Sequence, residues 1–281
     1  MIIDFHTHSF PDKIAASAIA KMQLDCHSAA FSAGTVDALR TTAREAGIDI
    51  SLVQPVATNP AKVASMNDIS IAGNGVGGLM YFGCMHPDCP EYAEELRRIH
   101  AAGLKGIKIH PVYQGADIND IRYLRIFEVC AELGMWVLTH AGDDIGFPGA
   151  VRCSPEMCRD ALSHVPELKL IAAHMGGWRN WERVAECLAG TSAMLDTAFT
   201  LGDLTPLEED YYTQEQLYML GAKDFVKLVR AFGSERILFG SDSPWADQGE
   251  SVRAVRALPL DEEEKQNILG ANACRLLGLK I

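Results

Sequence analysis

The chain has no C-x-x-C pair. Its eight cysteines stand at 26, 84, 89, 130, 153, 158, 187 and 274, a scatter that excludes the common zinc-ribbon and dithiol redox motifs. They read as reduced, small apolar residues, and a chain of 281 residues has no need of a disulfide framework. Any apolar run near the ~20 residues of a membrane span is also missing. The opening Met1-Ile2-Ile3-Asp4-Phe5-His6 passes directly into polar residues, with neither a basic nor a long apolar stretch of a secretory leader. A soluble, cytoplasmic protein with no membrane partner is the expectation. Positive charge is scarce: 25 Lys and Arg face 37 Asp and Glu, a formal net charge of −12. That balance argues against a partner made of nucleic acid. No Ser/Gly-rich linker, composition shift or repeat divides the sequence, which predicts one domain over residues 1–281.

What the chain does have is alternation. At 48% hydrophobic it can bury a sizeable core, and short β-branched stretches alternate with helical patterns about eight times. Candidate strands are 2–7, 48–56, 77–84, 106–110, 135–140, 168–174, 193–196 and 236–242. Several are nearly continuous in hydrophobicity, as parallel strands covered on both faces are. Helical patterns fall at 36–46, 61–71, 92–102, 121–133, 155–164, 181–188 and 214–232. Ser154-Pro155-Glu156 reads as a capped helix start, and Thr213 with Gln216 as a capping box. Gly47, Gly103 and Gly134 sit where helices need a left-handed end. Periodicity does not choose between an open doubly wound sheet and a (β/α)8 TIM barrel. The polar residues choose the barrel, because functional groups end strand after strand and only a barrel gathers eight strand ends at one mouth.

The first strand ends Asp4-Phe5-His6-Thr7-His8. Alternate residues of a strand share a face, so His6 and His8 can grip one metal ion. A lone H-x-H is weak evidence; its place at the end of an apolar strand strengthens it. Three further strand ends carry compatible groups: His140 in Thr139-His140-Ala141-Gly142, His174 in Ala173-His174-Met175-Gly176, and Asp242 in Gly240-Ser241-Asp242-Ser243-Pro244-Trp245. Each alone could be a hydrogen-bonded core residue. Their joint placement points to a metal site.

In these motifs, and in Gly106-Ile107-Lys108-Ile109-His110-Pro111, the chain resembles the amidohydrolase superfamily. Within it the likeness is to the amidohydrolase-related group that includes enzymes similar to aminocarboxymuconate-semialdehyde decarboxylase. The resemblance runs from the H-x-H to Asn272-Ala273-Cys274-Arg275 near the end. It implies that His6, His8, His140 and Asp242 hold one divalent metal, zinc by preference, with manganese or iron tolerated. It implies that His174 orients the substrate and that Asp242 also moves a proton. Three neutral imidazoles and one carboxylate leave such an ion a net +1, enough to bring the pKa of bound water from ~15.7 toward ~7.

Lys108 and His110 share a face. In binuclear members of the superfamily a lysine at this place is carboxylated and bridges two metals; the reading preferred here is one metal and a free ammonium that meets a substrate carboxylate. A glutamate there would have pointed to nucleases. Arg152, Trp178, Arg179 and Trp245 follow strand ends and are further substrate-binding candidates. The cations among them hint at a small anionic substrate. Hydrolysis of an amide, lactone or ester is the first expectation, because residues 10–35 offer only Lys13 and Lys21 to bind the substrate of a decarboxylase. Non-oxidative decarboxylation on the same site is the rival, and a silent metabolite-binding barrel the third reading. Assembly into a homo-oligomer is left open.

Overall fold

The computed structural model describes residues 1–202 and 204–280; Asp203 and Ile281, both within the span expected for the domain, lie outside the described residues. Among the described residues nine short strands alternate with helices: β1 (Ile3–Thr7), β2 (Ile50–Val53), β3 (Leu79–Tyr81), β4 (Gly83–Cys84), β5 (Gly106–Ile109), β6 (Trp136–Thr139), β7 (Lys169–Ala172), β8 (Met194–Asp196) and β9 (Ile237–Leu238). The chain divides into two compact units. One comprises Met1–Val53, Ile145–Pro148 and Asp196–Ile281, the other Gln54–Asp144 and Gly149–Leu195.

In the first unit β1 lies parallel to β2, pairing Ile3 with Ile50, Asp4 with Ser51 and Thr7 with Val53. Three steps along β1 from Asp4 to Thr7 thus match two along β2, so β1 carries one extra residue around Phe5 and His6. Such bulges re-aim side chains next to functional sites. On its other side β1 meets the segment after β9: Phe5 N donates to Phe239 O (2.7 Å), Asp242 N to His6 O (2.8 Å) and His8 N to Ser243 O (2.7 Å). Thr197 N in turn donates to Leu238 O. All five residues of β1 are buried, the polar Asp4, His6 and Thr7 together with Ile3 and Phe5.

In the second unit β4 to β8 pair in sequence order, each parallel to the next. The helices Tyr92–Ala101, Ile121–Leu133, Pro155–His164 and Trp181–Leu188 connect them. Two of these helices start on a side-chain cap: Ser154 accepts from Met157 N, and Asp120 from Arg122 N. Gly47, Gly103 and Gly134 adopt the positive φ expected of them.

The structure departs from the sequence pattern in four places. The third candidate strand is two, β3 and β4, with Phe82 between them. A helix over Asp12–Cys26 was not expected; it buries only Ala15, Ile19 and Cys26, and no side chain caps its start, so its periodicity is faint. The expected helix 214–232 is two, Gln214–Leu217 and Ala222–Phe232, because Tyr218 is extended and Leu220 N donates to Thr200 O instead of to its own helix. The stretch after 246 adds helices over Gln248–Ala257, Glu262–Gln266 and Asn272–Leu277. No helix among the described residues is long and apolar enough to cross a membrane.

Candidate metal centre and active site

In the first unit, the bulged end of β1 presents His6, and His8 follows one residue beyond the strand. The turn after β9 supplies Asp242. Asp242 Oδ1 lies 3.1 Å from His8 Nε2 and 3.5 Å from His6 Nε2, and the donor atoms of all three lie within 4.8 Å of one another. The other ring nitrogen of His6 is held by Asp196, the last residue of β8, at 2.8 Å from Nδ1 to Oδ2. That carboxylate is itself anchored, since its Oδ1 accepts from Ala198 N at 3.1 Å. A carboxylate on Nδ1 fixes the tautomer that leaves Nε2 as a lone-pair donor, the usual support behind a metal-binding histidine. Asp242 adopts φ 71°, a left-handed conformation that costs a non-glycine residue about 1–2 kcal/mol. Backbone bonds on both sides, Asp242 N to His6 O and Trp245 N to Asp242 O, hold it there. Two imidazoles and a carboxylate converging in this way fit a divalent ion of the zinc, manganese or iron type.

Directly beneath on β1, the fully buried Asp4 accepts four hydrogen bonds. They come from Ser241 Oγ (2.6 Å), Gln248 Nε2 (2.8 Å), Ser241 N (2.9 Å) and His6 N (3.3 Å). Burial raises its pKa to about 6, and these bonds pull against the rise.

The second unit gathers a different group. His110 and His140, at the ends of β5 and β6, stack with ring centroids 4.2 Å apart. Asp144 faces both, its Oδ2 lying 3.3 Å from His110 Nε2 and 3.8 Å from His140 Nε2. His140 also meets His174 Nε2 through Nδ1 (3.0 Å) and the Asp143 carbonyl through Nε2 (3.0 Å). Burial, then the neighbouring His110 and His174, hold the His140 pKa well below the ordinary histidine value, so it is neutral at pH 7. His174, like Asp242, has a left-handed backbone, with φ 59°. Behind His110 the Gln114 amide is fully engaged: Oε1 accepts from His110 N and Tyr123 Oη, and Nε2 donates to Ala57 O and Met85 O.

The loops that carry these groups are stitched together. Asp143 N donates to Trp178 O, Trp178 N to Ala141 O, and Asn180 Nδ2 to Asp143 Oδ1. Gly142 permits the approach: a Cβ there would lie 2.2 Å from Trp178 N, and its φ is +88°.

The structure therefore brings His6, His8 and Asp242 together in one unit, and His110, His140 and His174 in the other. Lys108 is buried on β5 and its charge reaches His140. Of the remaining substrate-binding candidates, Arg152 donates to Asp117 Oδ1 at 2.9 Å, and the Arg179 guanidinium lies 4.3 Å over the Trp178 ring. Trp245 closes the turn that bears Asp242. Asp4, Asp144 and Asp196 were not anticipated. Asp196 carried a legible signal, since it too ends a strand, whereas Asp144 lies within a loop whose path the sequence does not fix.

A family model described as amidohydrolase matches residues 3–279. A 2-amino-3-carboxymuconate-6-semialdehyde decarboxylase of Dictyostelium discoideum is 26% identical over 254 residues, covering 82% of this chain and 67% of that protein. Among solved structures, an uncharacterised TIM-barrel protein of Bordetella bronchiseptica aligns with a TM-score of 0.72 at 17% identity, over 99% of this chain and 98% of its own. The 5-carboxyvanillate decarboxylase of Sphingomonas paucimobilis aligns with a TM-score of 0.70 at 15% identity, over 99% of each chain. The fold is thus the TIM barrel expected from the strand-end residues, and with the family model spanning nearly the whole sequence, the chain belongs to the amidohydrolase family and is an enzyme of that superfamily.

Proposed function

We propose that the protein is a metal-dependent, non-oxidative decarboxylase of a small carboxylated molecule. The observation that carries this reading is the 254-residue match to the Dictyostelium decarboxylase. It outweighs the scarcity of cations in residues 10–35, which had put hydrolysis first: the helix over Asp12–Cys26 commits Lys21 to an ion pair with Asp25, and that segment is a poor gauge of substrate binding.

The reading treats residues 1–281 as one catalytic domain. His6, His8 and Asp242 are the metal ligands, and the family resemblance adds His140 as a fourth. A bound divalent ion supplies positive charge that draws substrate oxygen and steadies the electron pair left by the departing carboxylate. Lys108, as an ammonium, meets a substrate carboxylate, and Arg179 beside Trp178 is a second anion contact. His174 orients the substrate. The carbon–carboxylate bond breaks to release carbon dioxide, the electron pair stays on carbon, and one proton must reach that carbon. Asp242 holds and delivers it.

The test uses metal-loaded protein with 2-amino-3-carboxymuconate-6-semialdehyde and a panel of small aromatic carboxylates and lactones. Decarboxylation releases carbon dioxide and, in deuterated water, places deuterium on the product carbon. Hydrolysis instead inserts oxygen from labelled water into the product. Labelled oxygen in a lactone product, with no carbon dioxide from any substrate, overturns the proposal in favour of hydrolysis.

A further inference from the structure

We infer that Asp4 is a positioning residue that sets the affinity of the metal centre by clamping its two ligand-bearing segments to each other. The inference rests on the reading of His6, His8 and Asp242 as metal ligands. Asp242 lies more than 230 positions from the two histidines, so their convergence depends on what joins β1 to the 241–243 turn. The main chains meet there in the two bonds between His6 and Asp242 and between His8 and Ser243. Beneath the ligands the Asp4 side chain joins the same two segments. Asp4 Oδ1 receives the backbone N–H of His6 and that of Ser241, so one oxygen touches the residue that bears the first ligand and the residue before the last.

The second oxygen extends the clamp. Oδ2 accepts from Ser241 Oγ and from Gln248 Nε2, and Ser241 Oγ itself accepts from Ser243 N. Gln248 begins the helix Gln248–Ala257, and its Oε1 accepts from Thr42 Oγ1 (2.7 Å) of the helix Val36–Glu45. The ligand turn is thereby braced against two helices through one buried carboxylate. A carboxylate is the only side chain of this size that accepts on both oxygens. The β1 bulge makes the clamp necessary, because the irregular register around His6 leaves the regular β1–β2 ladder unable to fix that residue alone.

Groups that hold metal ligands from behind set affinity by about 10- to 100-fold. The experiment measures the metal dissociation constant by competition with a chromophoric chelator, alongside the melting temperature of the metal-free protein, for wild type, Asp4→Asn, Ser241→Ala and Gln248→Leu. In Asp4→Asn one oxygen survives for the two backbone donors, but the new amide faces the Gln248 amide, donor against donor. The expected result is weaker binding by about 10- to 100-fold in Asp4→Asn and a smaller loss in Gln248→Leu and Ser241→Ala. A purely structural role would lower melting temperatures and leave the dissociation constants of the folded variants at the wild-type value, and that result overturns the inference. If Asp4→Asn does not fold, the Gln248→Leu and Ser241→Ala constants decide on the same criterion. A wild-type protein that holds no divalent metal refutes the metal reading itself, and this inference with it.

Discussion

The two histidine–carboxylate clusters look alike in composition and differ in what their nitrogens are free to do. Around His6, His8 and Asp242, Asp196 occupies the rear nitrogen of His6, and the Nε2 atoms of both histidines point at one carboxylate oxygen. Around His110, His140 and Asp144, both nitrogens of His140 already meet protein groups, the rings stack, and every member is buried. The first arrangement could present nitrogen donors to an ion. The second could also hold an ion, but His140 would first have to exchange one of its protein partners for the metal. Donor identity and proximity are thus alike in the two clusters, and they differ in the partners that already hold the histidine nitrogens.

The largest expected effect tests that distinction directly. His6→Ala with His8→Ala should abolish metal binding while circular dichroism shows a folded protein. His110→Ala should retain about one equivalent of metal by elemental analysis, and equal loss in both variants would erase the difference drawn here. Next comes turnover. Reloaded with metal, Asp242→Asn should lose about 100- to 10,000-fold in kcat, because the amide ligates weakly but holds no transferable acid proton. Asp144→Asn should change kcat and KM by less and leave metal content unaltered; a larger loss for Asp144→Asn would move the proton chemistry to the second cluster.

A third expectation concerns rigidity of the second cluster. Gly142→Ala drives a Cβ into the Trp178 backbone at a positive φ, and should cost about 3 kcal/mol or more, read as a lower urea midpoint. A neutral result would mean that the stitched loops give way freely and do not orient His140. The smallest effect lies outside both clusters. Arg122 lowers the Asp120 pKa from 3.8 to about 2, and Asp120 caps its helix. This contribution is present above the unfolded value and fades as pH falls through about 2. Asp120→Asn should thus cost up to about 1 kcal/mol at pH 7, with the cost disappearing only once the pH lies below about 2. Following both proteins by acid titration separates the acid response of the scaffold from release of metal by the histidines.

How far the sequence could be read follows from range. The βα alternation, the Ser154 and Thr213 caps and the glycine helix ends depend on neighbours within a few residues, and all appear in the structure. His6, His8, His140, His174 and Asp242 stand out as candidates because they lie at or near the ends of apolar runs. The break at Tyr218 depends instead on a bond from Leu220 to Thr200, some 20 residues away. Asp4 looked like one more polar residue in the H-x-H strand, since its partners Ser241 and Gln248 lie at the other end of the chain. Asp144 needed the loop path that Gly142 and Asn180 set. Local chemistry is written in order along the chain; supports that arrive from afar are not.

The left-handed backbone at Asp242 narrows the alphabet available to that position in a way the chemistry alone would not. Proton transfer would accept glutamate, and metal ligation would accept glutamate or histidine. At φ 71°, however, aspartate, asparagine and glycine are the residues most easily tolerated. A saturation library at 242 sorted only for folded protein should return Asn and Gly beside Asp. Sorted for retained metal, it should shed Gly; sorted for turnover, it should return Asp alone. Conformation thus acts as a first sieve and reactivity as a second, and their intersection leaves a single letter.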